Sequence, residues 1–244
     1  MTGRATDDGA PHPLDRPVWH ALTTRQAAIT SAQPGAQPGA TGAAVRIDPA
    51  FGPFAAARDP GEAAQAALAA TLRDPGDRVF LVERAPWPAP PGTRVVQHAD
   101  LVQMIADGAL PPVPADDRIV LLGAGDAAMM AALARAAEPG PWASATHLYG
   151  PYYGIRIDGA LAAMAGQRLL LPGLAELSGV ACWPHHRGQG LASALVARVC
   201  AGFAARGDTP FLHCYAANAG AIRLYETLGF RLRARLVLTA LALA

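Results

Sequence analysis

The octapeptide HHRGQGLA, residues 185–192, decides the fold prediction for this chain. It stands between an apolar run at 177–183 and a run with helical spacing at 193–206. Its two glycines and its terminal alanine leave little side-chain bulk over successive backbone N–H groups. The helix that follows adds the positive end of its dipole. The stretch therefore predicts a seat for phosphate, although glycine-rich connections from strand to helix are also common as plain tight turns.

Composition places the chain among globular proteins. It has 244 residues, 52% of them hydrophobic and 16% charged, and a formal net charge of +1. A nearly neutral chain gives no electrostatic reason to expect nucleic acid or an acidic membrane as a partner. The longest apolar run, 236–244, is too short to span a bilayer, and the N-terminus has no apolar signal core. We expect a cytoplasmic protein without a nucleic-acid or membrane partner.

The organisation of the chain changes near residue 114. Residues 1–16 are predicted to be a disordered leader, and 17–114 a region of uncertain α/β fold with a flexible Gln-Pro-Gly loop at 31–42. Within that region, the apolar stretch 101–106 is predicted to be a short helix. A proline-rich segment then marks a boundary before a second domain, 115–244. From residue 118 the predicted order is strand, helix, three strands, helix, strand, helix, strand.

A second motif follows the predicted strand FLHCY, and it consists of Asn218, Ala221, Tyr225, Gly229 and Phe230. With Arg187-x-x-Gly190-x-Ala192 at this separation, it resembles the GNAT superfamily of acetyl-CoA-dependent N-acyltransferases. The resemblance covers residues 117–244. It implies an α/β (α+β) fold whose mixed central sheet contains two splayed parallel strands. Residues 17–114 lack the signature, so they are either a degenerate copy of the same fold or a family-specific extension.

The resemblance also implies a donor site for acetyl-CoA as co-substrate, with no metal. Loop amides would hold the pyrophosphate, and the open edge of the strand ending near 182 would pair with pantetheine. The cofactor-binding residues implied are Val180, Ala181, Cys182, Arg187, Gly188, Gln189, Gly190, Leu191, Ala192, Asn218 and Tyr225. Arg187 would add charge, with a solvated surface arginine as the alternative. Asn218 would either contact the cofactor or cap the next helix.

Two residues are candidates for catalysis. The resemblance places Tyr225 where the departing thiolate of CoA is protonated, and the alternative is that Tyr225 packs against the pantetheine arm. Glu176 is a candidate general base, with a structural carboxylate as the alternative. Strand alternation predicts that Glu176 shares a face with Val180 and Cys182.

Other clusters suggest no further chemistry. His185 and His186 are adjacent on a turn and cannot both bind one metal with good geometry. His213 and Cys214 are neighbours in one strand and face opposite sides, which argues against a nucleophilic pair. The three cysteines fit buried thiols in a reducing compartment. The aromatic-rich loop 139–151 is expected to line an acceptor site, unless its rings simply pack beneath it.

These features predict an N-acetyltransferase that moves acetyl from acetyl-CoA to a primary amine. The acceptor is a small molecule or a peptide N-terminus, and the amine attacks directly in a ternary complex. The alternative is a non-catalytic acyl-CoA-binding module whose N-terminal region is an effector or partner domain. Homodimerisation is common in the family that the sequence resembles, and it stays open here.

Overall fold

The computed structural model describes residues 12–31 and 42–244. Its strands are β1 Ala44–Arg46, β2 Ala55–Ala57, β3 Val79–Glu83, β4 Thr93–Ile105, β5 Ile119–Leu122, β6 Tyr152–Ile157, β7 Ala160–Leu171, β8 Leu174–Cys182, β9 Thr209–Tyr215 and β10 Arg231–Leu243. Its helices are α1 Pro17–Leu22, α2 Glu62–Ala69, α3 Ala127–Ala137, α4 Leu191–Ala204 and α5 Ala219–Thr227. No described helix is long and apolar enough to cross a bilayer.

One mixed sheet of eight strands carries the fold, in the order β3-β10-β4-β9-β8-β7-β6-β5. Strands β1 and β2 form a separate antiparallel pair. In the large sheet only β8 and β9 are parallel neighbours among the described strands, and their register runs only from Leu174↔Thr209 to Glu176↔Phe211. Beyond these pairs the two strands separate. The splayed parallel pair that the sequence predicts is therefore present.

Residues on both sides of position 114 build this sheet. Strand β4 lies between β10 and β9, and β3 forms the edge beside β10. The predicted boundary at 114 therefore does not separate two sheets. The predicted helix at 101–106 is wrong, because residues 101–105 are the continuously buried end of β4 and Ala106 follows that strand. A short apolar run in a central strand has the same pattern as a buried helix.

The predicted leader is described only from residue 12. Residues 13–15 form a 3-10 turn, and Leu14 within it is fully buried in one cluster with Val18 and Leu22 of α1. The prediction of disorder is therefore wrong for the end of the leader, because Leu14 has apolar surface to bury. Residues 1–11, and residues 32–41 of the predicted loop, lie outside the described residues.

Helices cover both faces of the large sheet. Helices α4 and α5 pack on one face through a cluster that includes Leu195, Phe203 and Tyr225. On the other face, α1 packs against β7, β9 and β10, and α3 packs against β7 and β8. Two helical layers bury the sheet on both sides. The space between the separating ends of β8 and β9 is left for a ligand.

Candidate active site

A cavity of about 150 Å³ opens where β8 and β9 separate. It is lined by strands β7, β8, β9 and β10, by helix α5, by the segment after α3, and by residues of the N-terminal half of the chain. Its lining includes Phe54, Val82, Leu101, Glu138, Gly140, Arg168, Ser178, Val180, His213, Cys214, Asn218, Tyr225 and Leu238. The region 17–114, which has no motif, therefore forms one wall of the cavity.

The loop before α4 has the geometry of an anion seat. Gly188 and Gly190 have φ values of 76° and 75°, and nothing lies within 4 Å of where a Cβ would stand on either. None of the N–H groups from Gly188 to Ser193 donates to a backbone carbonyl of the described residues. The 14-residue helix α4 points its N-terminus at the same place. Arg187 is exposed beside the loop. These groups fit a pyrophosphate.

The edge of β8 beyond Glu176 is open towards the cavity. The N–H of Trp183 donates to the carbonyl of Ala162 on β7 at 3.1 Å. Because N–H directions alternate along a strand, those of Val180 and Cys182 point to the open side. Ala181 instead directs its buried side chain into the cluster beneath α3. Its placement does not support the cofactor-binding role that the sequence assigned to it.

A bulge at Gly179 reverses the predicted alternation of β8. Ala181 pairs with Met164 and Ser178 with Gly166, so β8 carries one residue more than β7 across this interval. Gly179 takes a φ of 63°, which admits glycine without strain. Val180 and Cys182 consequently pack on the α4 face, and Glu176 lies on the opposite face. The predicted shared face is wrong because alternation does not continue through a bulge.

Glu176 is fully buried, and both oxygens of its carboxylate accept hydrogen bonds. It accepts from Arg168 Nε at 2.9 Å, Arg168 Nη2 at 2.5 Å, Leu169 N at 3.2 Å and His213 Nδ1 at 2.7 Å. Burial acts to raise the pKa of Glu176, but the charge and hydrogen bonds of Arg168, with His213, hold it at about 2. Such a carboxylate is a poor proton acceptor, and it does not line the cavity. This placement favours the structural alternative.

The tautomer of His213 follows from its second neighbour. Gln103 accepts from Arg233 Nη1 at 2.8 Å and donates from Nε2 to the carbonyl of Leu14 at 2.8 Å, which fixes its amide orientation. The same Nε2 lies 2.9 Å from His213 Nε2. His213 Nε2 is therefore an acceptor, and Nδ1 carries the proton donated to Glu176. A continuous polar network thus holds the carboxylate.

Tyr225 lies on α5 with its ring edge-on to Phe230, their centroids 5.9 Å apart. It lines the cavity, and no described residue hydrogen-bonds to its hydroxyl. Burial, with the neighbouring Cys214 thiol, raises the pKa of Tyr225 above its ordinary value. The phenol therefore stays protonated and can donate.

Asn218 accepts from Ala221 N at 3.1 Å, so its capping role is present while it also lines the cavity.

The aromatic loop does not line the cavity with its rings. Tyr149 and Tyr152 are buried, and Trp142 packs edge-on against Tyr152 at 5.6 Å. This placement favours the alternative, in which the rings pack beneath the loop. Sequence reasoning missed Arg168, although it stands opposite Glu176 across a tight Pro-Gly turn, where opposite charges on adjacent strands indicate a pair. No local sequence pattern indicates that Phe54 lines the cavity.

The described part of the chain contains no group of three His, Cys, Asp or Glu residues placed to hold a metal ion. The two histidines before the glycine-rich loop do not belong to such a group either. His185 and His186 have ring centroids 4.2 Å apart, and His185 stacks on Trp183. The rings contact each other rather than converge on a common point.

Comparison with known proteins gives matches in family and in fold. The model of the FR47-like protein family matches residues 152–238. A solved structure assigned to the GNAT acetyltransferase family, from Novosphingobium aromaticivorans DSM 12444, is 52% identical, with a TM-score of 0.88, covering 96% of this chain and 100% of that chain. No curated protein sequence matches.

More distant structures share the fold. A GCN5-related N-acetyltransferase from Kribbella flavida is 20% identical, with a TM-score of 0.56, covering 91% of this chain and 94% of that chain. A GCN5-related N-acetyltransferase-like protein from Streptococcus suis 89/1591 is 18% identical, with a TM-score of 0.51, covering 78% of both chains. The 52% identity over the whole length decides the family. This chain belongs to the GNAT family of acetyltransferases.

Proposed function

We propose that the protein transfers acetyl from acetyl-CoA to a primary amine by direct attack in a ternary complex. One observation supports this above the others. Val180 at the open edge of β8 and Tyr225, whose hydroxyl has no partner among the described residues, line one cavity where β8 and β9 separate. The loop with the free amides follows the same strand after a short 3-10 turn. A phosphate seat, a strand edge for amides and a proton donor are the three parts that an acyl-CoA site requires.

Each part has a distinct role in the proposed reaction. The amides from Gly188 to Ala192 hold the pyrophosphate, and the N–H groups of Val180 and Cys182 bind pantetheine and polarise the thioester carbonyl. A neutral amine attacks the carbonyl carbon, forming the C–N bond, and the C–S bond breaks. The hydroxyl of Tyr225 donates to the sulfur as it leaves, and the amine loses one proton.

We propose Glu138 as the acceptor of that proton, in place of Glu176. Glu138 ends α3 in the left-handed region at φ 46°, a backbone conformation unusual for glutamate. It is exposed, and it supplies the one carboxylate among the described lining residues. Replacement of Glu138 by Gln is expected to lower kcat/KM for the amine and leave the Kd of acetyl-CoA unchanged. Equal activity of the E138Q variant and the exposed control E62Q would refute this role.

The proposed activity is tested by following free thiol with acetyl-CoA and a panel of amines. The expected result is CoA release that depends on the amine and yields an N-acetylated product. Propionyl- and succinyl-CoA on the same panel define the acyl preference. Binding of acetyl-CoA with no product from any amine would instead support a non-catalytic acyl-CoA-binding module.

A further inference from the structure

The acceptor end of the cavity has one fixed cationic group. Arg168 supplies the only guanidinium or ammonium among the described lining residues. Its side chain is 13% exposed, and that of Glu176 beneath it is fully buried. The arginine is therefore accessible from the cavity, whereas the carboxylate lies behind the arginine and is not accessible.

The pair with Glu176 uses only one edge of the guanidinium. Glu176 takes the side-on edge, Nε and Nη2. No described residue accepts from Nη1, which lies 3.6 Å from the position that a Cβ at Gly140 would take. The end-on edge, Nη1 with the outer hydrogen of Nη2, therefore keeps its donors free. Donors in a partly enclosed cavity need an acceptor, and two parallel N–H groups match the two oxygens of a carboxylate.

The guanidinium is held in place before any ligand arrives. Its carbon lies 4.8 Å from the centroid of the Phe54 ring, which covers one face. Its carboxylate partner is itself fixed by Leu169 N and His213 Nδ1. A preorganised planar donor binds a carboxylate without the entropy loss of ordering a flexible side chain.

The cavity that contains Arg168 also has an apolar wall. Phe54, Val82, Leu101 and Leu238 form that wall, and the carboxylate of Glu138, the proposed proton acceptor, lines the cavity as well. On the basis of the proposed function, we infer that the acceptor amine carries a carboxylate bound end-on by Arg168, together with an apolar body, as in an amino acid with an apolar side chain. The carboxylate anchors the acceptor, and the apolar wall accommodates its side chain.

Matched pairs of acceptors test this inference. Leucine and phenylalanine are compared with isopentylamine and phenethylamine, which lack only the carboxylate. The acid is expected to exceed the decarboxylated amine in kcat/KM by about 100-fold or more, because a site built to bind a polar group rejects the analogue that lacks it. Equal or better kcat/KM for the decarboxylated amines in the wild-type protein would overturn the inference.

Variants assign the preference to Arg168. The R168Q/E176Q double variant removes both charges together and is expected to bring the acid-to-amine ratio to within a few-fold of one. The R168K variant keeps a cation but loses the planar fork, so its ratio should fall part of the way. The matched control is R231Q/D107N, because Arg231 and Asp107 form an exposed bidentate pair that does not line the cavity. A wild-type ratio in the double variant would overturn the assignment.

A binding measurement separates this inference from the proposed activity. Calorimetry compares N-acetylleucine with N-acetylleucinamide in the presence of CoA, for the wild type and for the R168Q/E176Q variant. Tighter binding of the acid by the wild type alone supports the carboxylate site, even if no amine is acetylated. Acetylation of amines together with equal binding of acid and amide would refute the carboxylate site and leave the proposed function standing.

Discussion

At the scale of single residues, Tyr225 and Glu176 occupy opposite kinds of surroundings. The hydroxyl of Tyr225 reaches the cavity without a partner among the described residues, whereas Glu176 is fully buried under hydrogen bonds. Buried charged groups in folded proteins are held by such partners. Replacing the tyrosine should therefore affect the rate, and replacing the glutamate should affect stability.

The Y225F variant removes the proposed proton donor and keeps the ring that packs against Phe230. We expect kcat to fall by about 10²-fold, the lower end of what a positioned acid contributes. The Kd of acetyl-CoA should stay within a few-fold of wild type. Stopped-flow kinetics and calorimetry measure the two quantities. A similar loss in both would make Tyr225 a packing residue only.

The E176Q variant leaves Arg168 buried without its counter-charge. We expect it to lose about 3 kcal/mol of stability at pH 7, since breaking a buried pair costs several kcal/mol. The folded pKa of about 2 is below the ordinary 4.5. The stabilising contribution is therefore full above pH 4.5 and is lost as the pH falls towards 2. Urea melts of both proteins between pH 7 and pH 3 measure this convergence.

The kinetics of the same variant separate a base from a structural carboxylate. With Glu176 in a structural role, the rate ratio of wild type to E176Q should be constant across pH. A ratio that is largest at low pH would show that Glu176 accepts the proton after all. A stability difference that stays constant down to pH 3 would contradict the depressed pKa.

At the scale of elements, local chemistry decides what the sequence predicts correctly. The glycine-rich turn before α4 and the helix α5 are predicted because the glycines and the Asn218 cap act within one turn. The bulge in β8 is not predictable, since the sequence does not show that Gly179 adopts a positive φ. For the same reason the face of Glu176 is predicted incorrectly, and the shared face is the reason for considering Glu176 as a base.

The G179A variant tests the bulge. Gly179 has a φ of 63°, and a Cβ there would stand 2.7 Å from Tyr152 Cε1. We expect a loss of about 2–4 kcal/mol, from backbone strain plus displacement of a fully packed ring. The matched control is G173A, at φ 70° with nothing within 4 Å, which should cost only about 1–2 kcal/mol. Equal melting temperatures for the two variants would contradict the account of the bulge.

At the scale of the whole molecule, the N-terminal half completes both the sheet and the cavity. Strand β4 lies between β9 and β10, and Phe54, Val82 and Leu101 line the acceptor end. Pairing between β4 and β10 joins segments far apart in the chain, so the local periodicity of the sequence cannot predict it. The sequence motifs therefore predict a donor site, whereas the residues that the N-terminal half contributes to the cavity are visible only in the structure.

A fragment spanning 115–244 tests this interdependence. Without β3 and β4, strands β9 and β10 lose neighbours and expose unpaired backbone groups together with Leu236 and Leu238. We expect the fragment to show no cooperative thermal transition and no fixed near-ultraviolet circular dichroism. Cooperative melting, with acetyl-CoA binding comparable to the full chain, would show that the predicted boundary at 114 is a real domain boundary.

We propose that acetyl passes directly to an amine in the cleft between β8 and β9. A single-turnover reaction tests it, with protein in excess over acetyl-CoA and with quenched samples analysed by mass spectrometry. If transfer is direct, CoA and the N-acetylated acceptor form together, with no acetyl group on the protein at any time. An acetylated protein that precedes the product, or bound acetyl-CoA that modifies no acceptor, would contradict it.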